Sequence, residues 1–162
     1  VEETGFHQHQ RYKWLGGSPD GLVRGDGVVE FKCPWPKSKR IYTTESIPLQ
    51  YFVQCQLLME ITGRSWCDLF LWHPEENRRW RFKRDKPFFQ MICPTLAQFH
   101  ACMATNVQPV DWQSQQRQSN EEFVRAVLKG TLITIDFPQV EMRLFSEKSD
   151  EKCKLTTQKL SP

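Results

Sequence analysis

The first third of the chain shows the pattern of short, half-buried strands separated by turns. Residues 6–15 are rich in aromatic and β-tolerant side chains and end at a Gly-Gly-Ser-Pro turn, so we expect one strand there. Residues 21–24 and 28–33 flank Gly25-Asp26-Gly27, whose glycines supply the positive φ that a tight hairpin needs. The pattern therefore predicts a strand followed by a β-hairpin.

The rest of the chain alternates helical and strand patterns. Residues 49–62 contain good helix formers and stop at Gly63, the residue expected just past a helix end. Residues 66–72 form a short apolar run typical of a buried strand, and residues 78–84 predict its neighbour. Further on, we expect a helix at 88–105 interrupted at Pro94, a helix at 119–130 ending at Gly130, and a late strand at 131–137.

Together these elements predict an α/β fold, in which helices flank a mixed, mainly antiparallel central sheet of about five strands. The length fits one domain, assigned to residues 1–145, and the polar composition of residues 146–162 predicts a disordered tail. No apolar run is long enough to span a membrane, so we expect a soluble, intracellular protein. The six cysteines are irregularly spaced and are expected to be reduced.

The net charge of +3 permits a polyanionic partner without requiring one, but the basic residues are clustered and interleaved with aromatic side chains. Such a mixture suits a phosphate backbone and stacked bases. A solvated face of ordinary strands explains the cluster at residues 78–86 equally well. The clusters comprise Arg11, Lys13, Lys37, Lys39, Arg40 and the cations between Arg78 and Lys86, with Tyr12, Trp14, Trp35 and Trp80 among them.

Two opposite charges lie on one face of the strand predicted at residues 28–33. Because side chains alternate along a strand, Glu30 and Lys32 point the same way as Val28. Dehydrating such a pair costs several kcal/mol unless other groups compensate. A cross-strand ion pair at a sheet edge is the simpler interpretation of these two residues alone.

Asp20 joins this pair if the hairpin loop has an odd number of residues. A loop of Gly25, Asp26 and Gly27 would pair residue 24 with residue 28, and would place Asp20 opposite Lys32 and diagonal to Glu30. Two carboxylates beside an ammonium form a site for a hard divalent cation such as Mg²⁺. The lysine could orient an attacking water or meet charge that develops on a phosphate.

The motifs around these residues resemble a known nuclease family. Ser18-Pro19-Asp20-Gly21 is followed by Glu30-Phe31-Lys32-Cys33-Pro34, and Gln54-Cys55-Gln56 lies in the helix predicted at 49–62. This order is similar to the PD-(D/E)XK nuclease superfamily, specifically its YqaJ viral-recombinase branch, to which phage lambda exonuclease belongs. The resemblance covers roughly residues 5–85.

The resemblance implies a restriction-endonuclease-like core and a role for each matched residue. Asp20, Glu30 and the backbone carbonyl of Phe31 would bind Mg²⁺, for which Mn²⁺ can substitute, and Lys32 and Gln54 would complete the catalytic set. An exposed helix stripe is the simpler interpretation of the glutamines on periodicity alone. We assign DNA contact to Ser18, Lys13, Trp35, Lys37, Lys39, Arg40 and Gln56.

The resemblance also implies a substrate and partners, namely double-stranded DNA resected from a 5′ end in recombination or repair, a ring-shaped homotrimer and a single-strand annealing protein. The family carries a further acidic residue on a helix well before the Ser-Pro-Asp-Gly segment, whereas only nineteen residues precede Asp20. We expect that helix to have been removed with an upstream segment, or the chain to work with fewer ligands, or to be inactive. An endonuclease, an RNA nuclease and a non-catalytic DNA-binding module are the alternatives.

Overall fold

A five-stranded sheet with helices against it forms the body of the protein in the computed structural model, which describes residues 1–34, 46–72, 77–107 and 114–133. The sheet has the order β3-β4-β5-β6-β7, and β1 pairs with β2 in a separate two-stranded ribbon. The elements are β1 (His7–Gln8), β2 (Gly16–Gly17), β3 (Gly21–Val23), β4 (Gly27–Lys32), α1 (Leu49–Thr62), β5 (Trp66–Leu71), β6 (Arg78–Lys83), α2 (Lys86–Ala104), α3 (Ser114–Thr131) and β7 (Leu132–Ile133).

The sheet is mixed, as predicted, and mainly antiparallel. Among the described strands of the sheet, only β4 and β5 pair in parallel, and α1 lies between these two strands in the sequence. The hydrophobic core lies between the helices and the sheet face that carries Val28, Cys67 and Phe82. Since side chains alternate along β4, Glu30 and Lys32 project toward the same helical layer as Val28. The charged pair is therefore held between β4 and the helices.

Helix α1 runs over the residues that the sequence predicted, Leu49–Thr62. Its C-cap, Gly63, has a φ of 74°, and its backbone N–H donates to the carbonyl of Glu60. An L-residue with a side chain would be strained in this left-handed conformation. The helix is apolar on more than one side because it packs against the sheet and also against the ribbon of β1 and β2.

The strand predicted at residues 6–15 is wrong in its extent, because this segment folds back on itself. His7 pairs with Gly17 and Gln8 with Gly16, so the segment forms the β1–β2 ribbon. The ring Nδ1 of His9, which is buried, accepts hydrogen bonds of 3.0 Å from the backbone N–H groups of Arg11 and Tyr12 and so stabilises the reversal. These two local hydrogen bonds to a buried side chain thus override the strand propensity of the segment.

The later helices also differ from their predicted bounds. Helix α2 is continuous through Pro94, which is exposed, so the carbonyl that loses its helical donor is on the solvent side. It begins at Lys86, because the Asp85 carboxylate caps the N–H of Phe88 at 2.8 Å. Helix α3 begins at Ser114 rather than Ser119 and continues past Gly130 to Thr131. The late strand is confirmed as the short β7, within the described residues.

The hairpin loop uses different residues from those predicted. The positive φ angles fall on Gly25 (80°) and Asp26 (82°), whereas Gly27 is the first residue of β4. Gly27 is required for another reason, because a Cβ atom there would collide with the indole of Trp66.

Five cysteines lie in the described part of the chain, and all five are free thiols, as expected. Among the described helices, none is long and apolar enough to cross a membrane. The predicted boundary at residue 145 lies outside the described residues.

Candidate active site

Asp20 and Glu30 lie on one side of the hairpin because its loop has an odd number of residues. The observed register pairs Val23 with Gly27, which leaves a loop of three residues, Arg24, Gly25 and Asp26. The parity of the prediction is therefore confirmed, but its register is wrong by one residue on each strand. Continuing the observed register places Asp20 opposite Glu30 rather than opposite Lys32.

Glu30 is the centre of the candidate site. Its side chain is buried, with 3% of the residue exposed, and its Oε1 accepts a hydrogen bond from Nζ of Lys32. The same oxygen accepts a second hydrogen bond, of 2.7 Å, from Nε2 of Gln54 on α1. Strand β4 and helix α1 thus place two donors on one carboxylate oxygen, which fixes the orientation of the carboxylate.

Asp20 extends the pairing between β3 and β4 with its side chain. Its Oδ2 accepts a hydrogen bond of 2.7 Å from the backbone N–H of Phe31. The N–H and C=O of one strand residue point to the same edge of the strand, so the carbonyl of Phe31 is directed to the edge where Asp20 lies. Asp20 lies just before β3, whose first residue, Gly21, pairs with Val29.

The second carboxylate oxygen of Glu30 shows that the site suits a cation. Oε2 is buried and has no hydrogen-bond partner among the described residues. Burial raises the pKa of Glu30, the hydrogen bond from Lys32 acts in the opposite direction, and the negative charge of Asp20 raises it again. A divalent cation bound by both carboxylates would satisfy the buried oxygen and remove the repulsion between them.

The donor set agrees with the preferences of Mg²⁺. Within the described residues, no group of three or more His, Cys, Asp and Glu side chains converges on a metal position, so the site offers two carboxylates, those of Asp20 and Glu30. Mg²⁺ instead needs only one or two carboxylates, with water and phosphate oxygens completing its octahedron. Asp20, Glu30 and the carbonyl of Phe31 supply oxygen donors of this kind.

Tyr51 belongs to the site although the sequence analysis did not select it. The ammonium of Lys32 lies 5.4 Å from the centre of the Tyr51 ring, within the range of a cation–π contact. Tyr51 precedes Gln54 by three residues on α1, so both side chains emerge on one helix face. This spacing could have identified Tyr51 from the sequence. Once Gln54 is placed against Glu30, the residue three positions earlier on α1 lies near Lys32, two positions after Glu30 on β4.

Two residues assigned to DNA contact are available for it. Ser18 is exposed and lines, together with Gln54, a cleft of about 420 Å³ between β2 and α1. Lys13 is exposed on the turn of the β1–β2 ribbon, and its backbone carbonyl accepts a hydrogen bond of 2.7 Å from Gln8. No described contact joins Lys13 to Glu30 or Asp20. Trp35, Lys37, Lys39 and Arg40 lie outside the described residues.

The assignment of Gln56 to DNA contact is wrong. Its residue is only 2% exposed, its Nε2 donates to the carbonyl of Lys83 at 3.0 Å, and its Oε1 accepts from the N–H of Asp85 at 2.9 Å. Positions 54 and 56 are separated by about 200° around a helix, so they face opposite sides. Gln56 therefore connects α1 to the segment between β6 and α2.

Residues 1–65 match the YqaJ-like viral recombinase domain. An alkaline exonuclease from Laribacter hongkongensis, LHK-Exo, is 28% identical, with a TM-score of 0.57 over 75% of this chain and 63% of its own. LHK-Exo in complex with dAMP is 29% identical, with a TM-score of 0.58 over the same shares. No curated protein sequence matches the chain.

The chain thus spans less than two thirds of the length of the solved alkaline exonucleases that it matches. The matched family segment, residues 1–65, contains Asp20, Glu30, Lys32 and Gln54. The TM-score of 0.57 shows that this chain shares its fold with those exonuclease structures over 75% of its length. The resemblance to the YqaJ-like viral recombinase family, with its PD-(D/E)XK fold, is therefore confirmed by both the family match and the structural neighbours.

Proposed function

We propose that this chain carries the active site of a Mg²⁺-dependent deoxyribonuclease that hydrolyses DNA phosphodiesters, acting as a 5′–3′ exonuclease on double-stranded DNA in recombination or repair. One observation carries the proposal. The buried carboxylate of Glu30 receives Lys32 and Gln54 on one oxygen, has its other oxygen unpartnered, and lies beside Asp20. The similarity to alkaline exonucleases supports DNA as the substrate.

Asp20, Glu30 and the carbonyl of Phe31 are the residues that would hold the cation. When bound, Mg²⁺ supplies positive charge to the phosphate and to a coordinated water, and Mn²⁺ can substitute for it. The carboxylates must be ionised to bind the cation. Burial raises the pKa of Glu30 and therefore opposes the ionisation of this carboxylate. Gln54 keeps Oε1 of Glu30 in place, which leaves the unpartnered Oε2 as the oxygen that would bind the cation.

Lys32 is the residue that we assign to the reacting groups. Its side chain is 21% exposed, so a substrate can reach it, and its ammonium lies between Glu30 and the ring of Tyr51. From this position it can orient the water for in-line attack and donate to a phosphate oxygen as negative charge develops. Hydrolysis adds the oxygen of water to the phosphorus and breaks the P–O3′ bond, which leaves a 3′-hydroxyl on the released nucleotide and a 5′-phosphate on the shortened strand.

The cleft between β2 and α1 provides space for substrate next to these groups. Ser18 and Gln50 contribute polar side chains to its lining, while Val53 and Leu57 contribute apolar ones. We assign backbone contact to Ser18 and Lys13, since phosphate contacts supply most of the sequence-independent affinity of a nuclease. A homotrimer and a single-strand annealing partner, both implied by the family resemblance, complete the proposal.

A cleavage assay on three DNA substrates tests the proposal. Linear duplexes labelled at the 5′ or the 3′ end, and covalently closed circular DNA, are incubated with Mg²⁺, with Mn²⁺ and with EDTA. We expect mononucleotides from the linear duplexes only, degradation from the 5′ end, and no product with EDTA. Lys32→Ala, which removes the ammonium without touching the carboxylates, should abolish cleavage and retain DNA binding.

Each alternative gives a different result in the same assay. Nicking of the circular DNA would identify an endonuclease, and faster turnover of a matched RNA duplex would identify a ribonuclease. If the wild-type chain binds DNA but does not cleave it with either cation, the chain is a DNA-binding module without catalysis. Binding that is equal for wild type and Lys32→Ala is expected for the exonuclease and the module alike, so cleavage decides between them.

A further inference from the structure

The structure divides the basic cluster of residues 78–86 into two groups. Arg81 is held against the sheet by Asp68, whose carboxylate accepts its two hydrogen bonds of 2.6 and 2.7 Å. Arg84 and Lys86 have no ion pair and no side-chain hydrogen bond within the described part of the chain. Their positive charges are therefore available for another molecule, whereas that of Arg81 is neutralised.

Arg84 and Lys86 line one cleft together with Arg11, and we call it the basic cleft. It has a volume of about 250 Å³ and lies between the turn of the β1–β2 ribbon, the end of α1 and the segment from β6 to α2. The backbone N–H of Arg84 donates to the carbonyl of Ser65 at 2.8 Å, and the guanidinium of Arg11 lies 5.3 Å from the centre of the Tyr12 ring. Two parts of the chain that are far apart in sequence thus bring three cations to one place.

Among the described residues that line the basic cleft, one, Glu60, carries a carboxylate. Its Oε2 is buried and has no hydrogen-bond partner in the described part of the chain. Its Oε1 lies 3.8 Å from Nε2 of His9, which is too far for a hydrogen bond. With His9 counted as neutral, three cations and one carboxylate give the cleft a net charge of +2. Like charges that converge in a cleft repel one another unless an anion binds between them, so the basic cleft suits an anionic ligand.

The basic cleft adjoins the cleft that contains Ser18 and Gln54. Ile61 lines both of them. Glu60 follows Gln54 by six residues on α1, which is about 9 Å along the helix axis. The major groove of duplex DNA alone is about 12 Å wide, so a duplex whose end lies beside Gln54 is wide enough to reach the basic cleft as well.

We infer that the basic cleft binds a backbone phosphate of the DNA, away from the bond that is cleaved, an inference that rests on the proposed function. Arg11 and Arg84 provide planar guanidinium groups, which bind phosphate through paired hydrogen bonds, and Lys86 adds a third positive charge. Glu60 lies deeper than the exposed Lys86 and repels the phosphate, so the cations bind it at the rim of the cleft. The basic cleft thereby adds affinity for DNA and takes no part in the reaction.

Other ligands fit the basic cleft less well. A metal ion at Glu60 would be repelled by the three cations. A stacked base would need a Phe, Tyr or Trp ring, and none lines the cleft within the described residues. An acidic protein segment would satisfy the same charges, but it would not explain why the basic cleft adjoins the one that contains Gln54. DNA explains both the charge and the position.

Binding of a labelled blunt-ended duplex, measured by fluorescence anisotropy in EDTA from about 50 to about 200 mM salt, tests the inference. Arg84→Gln combined with Lys86→Gln should weaken binding about tenfold at the lowest salt concentration. It should also reduce the slope of log Kd against log salt concentration by about 0.9, the contribution of one phosphate. Arg24→Gln combined with Lys129→Gln is the matched control, because it removes the same two charges from exposed positions outside the cleft. This control should bind DNA like wild type.

Glu60→Gln should change the affinity in the opposite direction. It removes the negative charge beside the phosphate and should strengthen DNA binding by about threefold, as expected for one partly exposed pair of charges. The effect should disappear when Arg84 and Lys86 are also substituted, because the phosphate is then no longer held in the cleft. Glu122→Gln, at an exposed position of α3, is the control and should leave the affinity unchanged.

Three results would overturn the inference, namely wild-type affinity and salt slope in the combined variant of Arg84 and Lys86, an equal loss in its matched control, or weaker binding by Glu60→Gln. Urea unfolding establishes that each variant is folded. Because binding is measured without catalysis, a chain that binds DNA as described but does not cleave it contradicts only the proposed function. Cleavage by wild type, together with unchanged binding by the combined variant, contradicts only the role of the basic cleft.

Discussion

Nε2 of Gln54 lies 2.7 Å from Oε1 of Glu30, twenty-four residues earlier in the chain. The carboxylate that would bind the cation is therefore oriented by a helix that follows it in sequence. This contact supplies the second donor to Oε1 and leaves Oε2 as the oxygen without a partner among the described residues.

Gln54→Leu should lower the rate of DNA cleavage at saturating Mg²⁺ by about tenfold to 100-fold, as is usual when the group that orients a metal ligand is lost. The side chain of Gln54 is only half-buried, so the free energy of unfolding should change little. The measurements are cleavage kinetics as a function of Mg²⁺ and urea unfolding. Cleavage equal to that of wild type would show that the contact has no catalytic role.

Gln56→Leu, two residues further along α1, should lower the stability of the protein and leave the rate of DNA cleavage unchanged. It leaves the carbonyl of Lys83 and the N–H of Asp85 without their partner, so the free energy of unfolding should fall by about 2 kcal/mol. Because the side chain faces away from the site, the fraction that remains folded should cleave DNA at the wild-type rate. The pair of substitutions separates stability from activity with one residue type on one helix.

Tyr51→Leu should reduce kcat by about tenfold and leave KM nearly unchanged, because the ring holds the ammonium of Lys32 and does not hold substrate. Tyr51→Phe keeps the ring and removes only the hydroxyl, and should retain nearly wild-type kcat. Single-turnover cleavage at several DNA concentrations measures both constants. An equal loss in both variants would assign the effect to the hydroxyl instead.

Without metal, the contribution of Glu30 to the stability of the protein should fall as the pH rises through the pKa of Glu30. Burial raises that pKa in the folded state above its value in the unfolded chain, so the unfolded state ionises first and gains stability over the pH interval between the two values. Glu30→Gln should remove this pH dependence. Urea unfolding of both proteins in EDTA from acidic to neutral pH measures it, and the stability of wild type should fall relative to that of Glu30→Gln as the pH rises. A difference between the two proteins that is constant or increases with pH would contradict the prediction.

The sequence could predict the residues of the site because their spacing is constrained by local geometry. Alternation along a strand places Glu30 and Lys32 together, and the parity of the loop adds Asp20. The exact register could not be predicted, because Asp26 adopts a positive φ that glycine was expected to supply and Gly27 is held in β4 by the packing of Trp66. That contact joins residues far apart in sequence.

The helices show the same division between local and distant causes. The end of α1 at Gly63 was predicted because a left-handed cap is a local signal. The different roles of Gln54 and Gln56 could not be predicted, since both positions suit a helix surface and only the sheet and the β6–α2 segment decide which one is buried. The motif resemblance grouped the two glutamines, and tertiary packing separates them.

The compact position of the site along the chain has a consequence for how such proteins diverge. The five side chains of the candidate site, those of Asp20, Glu30, Lys32, Tyr51 and Gln54, come from residues 20–54, and the family match ends at residue 65, before β5 begins. Among the described residues beyond that point, none contributes a side chain to the candidate site. In relatives, substitutions in β6, α3 and β7 should therefore alter the proposed reaction only through the packing that supports residues 20–54.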